Sequence, residues 1–327
     1  CARDHMPIDV IISPELEVGH TVLRRLAVPG AFDILEFADG AVNVVGVALD
    51  DDCPIVNTPL RQLTELFPDL KARVVGIVRN GKLFVPHSED QMIVGDQVYF
   101  AADKTEVRRT LSIFGHEEQE ARKVLIVGAG NIGLYVAQEL EKNHSGVRVK
   151  VLEKNRDRAV YAADRLQRTI VLNGDGLEPE LLREAGVQET ETIVTLTNDD
   201  QVNLLTCVLA KREGCSRALS LINNQTYSPL MQSLGIDAFL NPRSTTVSHV
   251  LRHVRRGRIR GLQAVQDGAA EVIEAEALET SPLVGQPLRE VELPDGLIVG
   301  AIARDGEVIT PSGSTEIQSG EIGRAHV

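Results

Sequence analysis

Lys123-Val124-Leu125-Ile126-Val127 runs straight into Gly128-Ala129-Gly130-Asn131-Ile132-Gly133, and Leu134 to Lys142 follows with Leu134, Ala137 and Leu140 at helical spacing. A short apolar strand, a glycine turn and a helix, in that order, predict the first βα unit of a nucleotide-binding fold. The first glycine permits the tight turn, the second lets the backbone approach a pyrophosphate, and the third lets the helix pack closely on its strand. Unpaired N–H groups at the helix start would face the phosphates. A second strand, Val147 to Leu152, ends at Glu153, a carboxylate about 20 residues past the glycines, where a ribose-binding acid belongs. That acid accepts from both ribose hydroxyls and repels a 2′-phosphate, which favours NAD(H) over NADP(H). The alternative is a degenerate glycine turn kept only for strand-to-helix packing.

The alternation continues downstream. Thr169 to Asn173 leads into Gly174-Asp175-Gly176 and a helix Glu178 to Glu184; Thr192 to Leu196 leads into Thr197-Asn198-Asp199-Asp200 and a helix Gln201 to Arg212. Arg217 to Ile222 and Ile236 to Leu240 supply two more strands. The pattern predicts an α/β, Rossmann-like, doubly wound parallel sheet with its ligand at the carboxyl ends of the strands. Gly174, Asp175, Thr197 and Asn198 fall at those ends. Asp199 and Asp200 suit a helix N-terminal cap and first-turn charge as well as a ligand contact.

On either side the pattern changes to small α+β modules. Ile34 to Phe37, Val42 to Leu49, a helix Leu60 to Leu66, Ala72 to Arg79, Lys82 to Val85 and Gln97 to Ala101 make up the first. Asn80-Gly81, and Asp305-Gly306 in the second, are hairpin turns. The two modules belong to an internal repeat. Ile8-Asp9 recurs as Ile236-Asp237, Val22-Leu23-Arg24 as Val250-Leu251-Arg252 and Pro59-Leu60-Arg61 as Pro287-Leu288-Arg289, each 228 positions on. Pro68-Asp69 then matches Pro294-Asp295 at 226, and Gly81, Pro86 and Gly95 match Gly306, Pro311 and Gly320 at 225. One held register over such a distance is a duplication, not a solenoid, whose periods are far shorter.

The repeat sets expectations for both ends. A partner of the segment from Lys123 to Gln232 belongs before Cys1, so residues 1–30 read as the last strand (Asp9 to Ile12) and crossover helix of a first Rossmann-like domain. Residues 31–115 form the first small module, 121–257 the nucleotide-binding domain and 258–320 a second module whose closing strand and helix are expected to be missing. Residues 321–327, Glu321 to Val327, read like a translated sequencing adaptor and are set aside from the fold.

Composition narrows the function. The chain of 327 residues carries a formal net charge of −13, with seven Phe, four Tyr and no Trp, which argues against a general nucleic-acid binder with stacking platforms. The best apolar run, Ala41 to Leu49, holds Asn43 and falls far short of the ~18 residues that cross a bilayer. Cys1, Cys53, Cys207 and Cys215 show no metal-binding spacing. An oxidoreductase of this shape would bring an acid or base against the nicotinamide, and none is identified. His249 and His253 lie four apart, but Val250 stands where a zinc-protease helix has Glu. No metal site and no catalytic residue is therefore assigned. A basic cluster, Arg252, His253, Arg255, Arg256, Arg258 and Arg260, reads as a helix end complementing its macrodipole or as a site for a phosphate, an acidic partner or a membrane-facing surface.

Taken together, Gly128 to Gly133, Glu153-Lys154-Asn155, Gly174-Asp175, Leu196-Thr197-Asn198-Asp199-Asp200 with Asn203, and the duplication resemble the TrkA-type members of the regulator-of-potassium-conductance family. The similarity runs from Pro7 to Gly320. It implies a Rossmann-like domain flanked by two TrkA C-terminal-type modules, in a cytoplasmic regulatory subunit peripheral to the membrane. It further implies binding of NAD(H) and of ATP or ADP, assembly as a homo-oligomer from dimer to ring tetramer, and docking on a Trk-type membrane potassium channel subunit whose conductance it gates. The family's nucleotide site maps onto Gly128, Ala129, Gly130, Asn131, Ile132, Gly133, Glu153, Lys154, Gly174, Asp175, Thr197 and Asn198. Whether Lys154 or Arg158 favours ATP phosphates over NAD stays open in the sequence. The alternative function is a NAD-dependent oxidoreductase.

Overall fold

A computed structural model describes residues 13–231, 233–254, 259–265 and 268–326. The described residues begin with helix α1 (Pro14–Ala27) and a first module: β1 (Ala31–Phe37), β2 (Val42–Ala48), α2 (Leu60–Leu66), β3 (Ala72–Arg79), β4 (Lys82–Phe84), β5 (Gln97–Asp103) and α3 (Val107–Ile113). Next come β6 (Lys123–Val127), α4 (Asn131–Asn143), β7 (Arg148–Glu153), α5 (Arg156–Ala163), β8 (Ile170–Asn173), α6 (Pro179–Glu184), β9 (Thr192–Thr195), α7 (Asp200–Arg212), β10 (Arg217–Leu221), β11 (Ala238–Leu240) and α8 (Pro242–Val254). A second module closes the order: β12 (Ile259–Val265), β13 (Ala270–Glu276), β14 (Ile298–Arg304), β15 (Glu307–Ile309) and β16 (Ile322–His326). These elements divide into two compact units, Cys1–Pro29 with Gln119–His249, and Gly30–Glu118 with Val250–Val327.

In the first unit six strands pair in parallel in the order β11-β10-β9-β6-β7-β8, the doubly wound sheet expected from the sequence. Period-two alternation serves two cores at once. Val124 and Ile126 of β6 point to the layer of α4, while Leu125 and Val127 point to the layer of α6 and α7. Leu125 and Ile126 are fully buried, each contributing roughly 2 kcal/mol by removal from water. Helix α1 joins the first of these layers: Val18, Val22 and Leu26 pack with Leu134, Ala137 and Leu140 of α4. Gly19 makes the approach possible, since a Cβ there would sit 2.4 Å from the Tyr135 ring. Helix α5 was not foreseen. Arg156-Asp157-Arg158-Ala159-Val160-Tyr161-Ala162-Ala163 buries only Ala159 and Ala162 and has no clear apolar stripe, but a parallel crossover from β7 to β8 requires it.

The second unit contains both modules. Their sheets have one strand order, β1-β2-β5-β3-β4 and β12-β13-β16-β14-β15, so the repeat in the sequence is a repeat of topology. The two sheets share a core in which Phe37, Val44, Val75 and Tyr99 meet Val265, Val272 and Ile298. Gly300 on β14 allows close contact, because a Cβ there would lie 2.9 Å from a Val75 methyl. Both hairpin turns take the left-handed backbone that their Asn-Gly and Asp-Gly pairs suit, with φ of 52° and 73° at Asn80 and Gly81 and 49° and 83° at Asp305 and Gly306.

One ion-pair network occurs twice. Arg79 grips Asp96 with Nε to Oδ1 at 2.8 Å and Nη2 to Oδ2 at 2.7 Å, and also donates to the Gln91 carbonyl, while the Ile93 N–H donates to Asp96. At positions 225 further on, Arg304 donates to Glu321 and to the Glu316 carbonyl, and the Gln318 N–H donates to Glu321. The expectation that the closing strand is missing is thereby corrected. Glu321, set aside with the residues to Val327, is the counterpart of Asp96, and the strand expected to be missing after Gly320 is β16, paired to both β13 and β14. Ladder hydrogen bonds belong to the main chain and make few demands on side chains, and β13 and β14 would each leave an open edge without a strand between them.

The strand expected at Asp9 to Ile12 lies outside the described residues. So do Arg255, Arg256 and Arg258 of the basic cluster and the side chains of His249, Arg252, His253 and Arg260.

Candidate functional site

The carboxyl ends of the six parallel strands lie on one edge, and the strand order reverses between β6 and β9, the switch point where open α/β sheets bind ligands. The glycine turn occupies that point. Gly128 has φ +101°, and a Cβ on it would press at 3.1 Å against the Leu196 carbonyl group. Gly133 sits so close to the turn that a Cβ would be 2.0 Å from the Gly128 oxygen. Gly130 is the N-cap of α4 with nothing within 4 Å of a would-be Cβ, so the helix N-terminus is approachable by a ligand. Ala129 is fully buried, whereas Asn131 is exposed and Ile132 partly buried against the core.

Glu153, at the end of β7, closes on the turn: its Oε2 accepts from the Ala129 N–H at 2.6 Å and its Oε1 from the Asn155 N–H at 2.8 Å. Asn155 caps α5 by accepting from the Arg158 N–H. The Arg158 guanidinium returns to the turn, with Nε donating to the Ala129 carbonyl at 2.6 Å and Nη2 to Asn131 Oδ1 at 3.1 Å. Both polar main-chain groups of Ala129 are thus held by side chains from the β7–α5 segment. Lys154 pairs with Asp175 at 2.7 Å, and that bond, helped by the Leu177 N–H, holds the Asp175 carboxyl below its ordinary range and raises the Lys154 ammonium. Gly174 donates to the Glu153 carbonyl and lies under Leu181, where a Cβ would be 2.2 Å from the nearest methyl.

Across the switch point Thr197 is held by a side chain that was quoted in the motif but given no role. Asn203, fully buried, accepts from the Thr197 N–H and hydroxyl and donates to the carbonyls of Thr197 and Leu221. Asn198 is exposed beside it. The open reading of the two aspartates resolves toward structure. Asp199 caps α7 through the Gln201 and Val202 N–H groups, and Asp200 accepts from Asn223 and from the Asn224 N–H. Both aspartates also line a shallow polar cleft, together with Asn198, Asn223, Asn224 and Tyr227. Cys207 lies beneath, in contact with Thr195, and burial pushes its thiol up to about 12, so it is no nucleophile at neutral pH. Among the described residues, no group of three or more His, Cys, Asp or Glu is placed to hold a metal ion.

The structure therefore brings the turn residues, Glu153 and Arg158 into one bonded cluster and places Lys154, Asp175 and Gly174 next to it. Thr197 touches the turn through its methyl, 3.1 Å from where a Gly128 Cβ would stand. Asn203 is the residue that sequence reasoning left without a role, and Arg158 the one whose part it left open beside Lys154. Asn155, a good N-cap two residues after Glu153, was the available signal for α5 and so for Arg158.

Comparison with known proteins gives a consistent picture. The TrkA-N domain family matches residues 124–242, and the TrkA-C domain family matches residues 44–115 and again 272–322. The Trk system potassium uptake protein TrkA of Azorhizobium caulinodans is 57% identical over 318 residues, covering 97% of this chain and 69% of that protein. The protein of the same description from Halomonas elongata is 36% identical over 323 residues, covering 98% and 70%. Among solved structures, the GsuK RCK domain is similar with a TM-score of 0.53 at 17% identity, over 96% of this chain and 67% of that one. The GsuK channel bound to NAD follows with a TM-score of 0.51 at 16% identity, over 96% and 55%. At those identities the structures speak for the fold alone.

Proposed function

Because the chain belongs to the TrkA family of Trk potassium-uptake proteins, we propose that it is a regulatory subunit which binds a nucleotide at its glycine turn and passes that event to a membrane potassium channel subunit. NAD(H) is the principal ligand in this reading, with ATP and ADP as competitors for the same turn. The protein works as a homo-oligomer at the cytoplasmic face of the membrane and catalyses no reaction. The observation that carries the reading is the turn itself. Gly128 and Gly133 have no room for a side chain, Gly130 leaves the α4 N-terminus open, and Glu153 reaches the turn from β7.

Helix N–H groups and the macrodipole would hold the pyrophosphate, and Glu153 would exchange its bond to Ala129 for the ribose hydroxyls. Gating then follows from differential affinity: a nucleotide shifts the regulator only insofar as it binds one arrangement better than another. The GsuK channel bound to NAD, which shares the fold, supports the choice of NAD as first probe. The oxidoreductase alternative has no observation in its favour.

Calorimetric titration of the 327-residue chain with NADH, NAD, ADP and ATP tests the binding. Saturable binding is expected, weakened roughly tenfold or more in Glu153→Ala by loss of charge-assisted hydrogen bonds and abolished in Gly130→Asp, which sets a carboxylate where phosphate should lie. Absence of saturable binding by any of the four overturns the site. Loss of binding in Gly130→Asp with potassium uptake unchanged overturns the gating role.

A further inference from the structure

We propose that Arg158 reads the phosphate charge of the bound nucleotide, making it the residue by which this site ranks ligands that share an adenosine. The inference rests on the nucleotide reading of the glycine turn and deepens it.

Three observations place the guanidinium in that role. First, it is fixed at the turn and not on a free arm: Nε donates to the Ala129 carbonyl and Nη2 to Asn131 Oδ1, the first residue of α4. Those bonds use two of its five N–H donors, so three remain for acceptors that arrive at the helix N-terminus. Second, it packs against an aromatic ring. The Arg158 guanidinium carbon lies 4.7 Å from the centre of the Tyr161 ring, and that of Arg165 lies 3.5 Å from the same centre. An arginine held by a cation–π contact and by two hydrogen bonds gives up little freedom when it takes a phosphate. Third, the nearest other candidate is engaged, since Lys154 is bonded to Asp175 at 2.7 Å.

The electrostatic consequence is a division of labour at Ala129. Glu153 holds its N–H and Arg158 its carbonyl, so a negative and a positive side chain approach the turn through one residue. Ribose recognition belongs to the carboxylate and rejects added charge on the sugar. Phosphate recognition belongs to the guanidinium and rewards added charge on the chain of phosphates. A site with both should bind ATP more tightly than ADP, and ADP more tightly than AMP, with Arg158 responsible for the spacing.

The test measures Kd for AMP, ADP, ATP and NADH on the full chain, in wild type, Arg158→Gln, Arg158→Lys and Lys154→Gln, with thermal unfolding alongside. In Arg158→Gln the ratio of the AMP to the ATP Kd should collapse by roughly tenfold or more, as expected for one charge-assisted phosphate contact, while AMP changes little. Arg158→Lys keeps the charge without the fork and should retain most of the ratio; Lys154→Gln should retain all of it. An equal loss for all four ligands in Arg158→Gln would mean that Arg158 only props the turn, and the proposal would fall. So it would if Arg158→Lys behaved like Arg158→Gln, or if the ratio collapsed in Lys154→Gln instead. Should Arg158→Gln unfold, Arg158→Met takes its place, keeping a side-chain stem against Tyr161 without the charge, and the same collapse of the ratio is expected of it. No binding by wild type would overturn the nucleotide site itself, a result separate from any change in the ratio.

Discussion

The two small modules hold the same strand order and the same arginine–carboxylate network, but they are not equally anchored. In the first, Asp96 is almost wholly buried and takes two bonds from Arg79 and one from Ile93. In the second, Glu321 takes one bond from Arg304 and one from Gln318. Where the first has helix α2, the second has a short 3₁₀ turn at the matching position, Leu288–Glu290. A duplicated sequence thus preserves the arrangement of strands and the polar pin that fixes the β3–β5 corner, while the coverings around them diverge. The pin keeps its chemistry while its arm changes length, since aspartate in one copy is glutamate in the other.

The largest expected effect is at the tighter pin. Asp96→Ala strips Arg79 of both carboxylate bonds and leaves the Ile93 N–H without its acceptor, so it should destabilise the second unit by about 3 kcal/mol, as for a broken buried pair. Glu321→Ala should act in the same direction and less, and denaturant unfolding of both variants measures the gap. Equal losses would erase the distinction drawn between the modules. Next comes the contact between the sheets. Gly300 is the counterpart of Val75 at the 225-residue offset, and Val75 and Ala101 leave no space for a side chain there. Gly300→Val should overpack the shared core and cost about 1–3 kcal/mol, read from the same unfolding curves. If the variant is as stable as wild type, the two sheets do not rely on that approach.

The smallest effect belongs to a feature of the first module. His116 contacts the Ala48 carbonyl through Nε2 at 2.9 Å and Glu118 through Nδ1 at 3.1 Å. Both partners are acceptors, so both ring nitrogens donate only in the imidazolium form. Burial opposes that charge, but the bonds to Glu118 and Ala48, with the charges of Glu118 and Asp50, outweigh it and raise the His116 pKa above its ordinary value. A raised folded-state value means stability that is complete below the ordinary ~6.5 and lost as pH rises through the raised value. The chain should therefore lose about 1 kcal/mol across that window, the worth of one hydrogen bond, and His116→Gln should be flat over it. A pH profile identical in both proteins would refute the clasp.

Much of the fold could be read from residues alone because its signals are local. The β6–turn–α4 segment announces itself by period and glycine spacing, and the repeat by register. What escaped reading was either weakly patterned or made by contact at a distance. Helix α5 carries three charges in its first three residues and hides only two alanines, so no stripe betrays it. Arg158 and Asn203 acquire their roles by reaching turns 29 and six residues away. Glu321 was judged by the company it keeps in sequence, although its match to Asp96 at the 225-residue offset was there to be found. The site is legible as a list of positions. The cross-bracing of Ala129 by an acid and a base is legible only in three dimensions.

The order of strands in each module has a consequence for how it is made. β1 pairs with β2 and β3 with β4, and only β5 joins the two pairs; β12 and β13, β14 and β15 await β16 in the same way. Each module therefore needs two local pairings and one non-local one. Hairpins close in microseconds, whereas a strand seated between two distant edges waits for loop closure over the whole module. An edge that lacks its partner accepts other strands, the matching strand of a sister module among them. Duplication thus makes strand exchange between the modules the misfolding to look for, and the divergence of the two copies works against it.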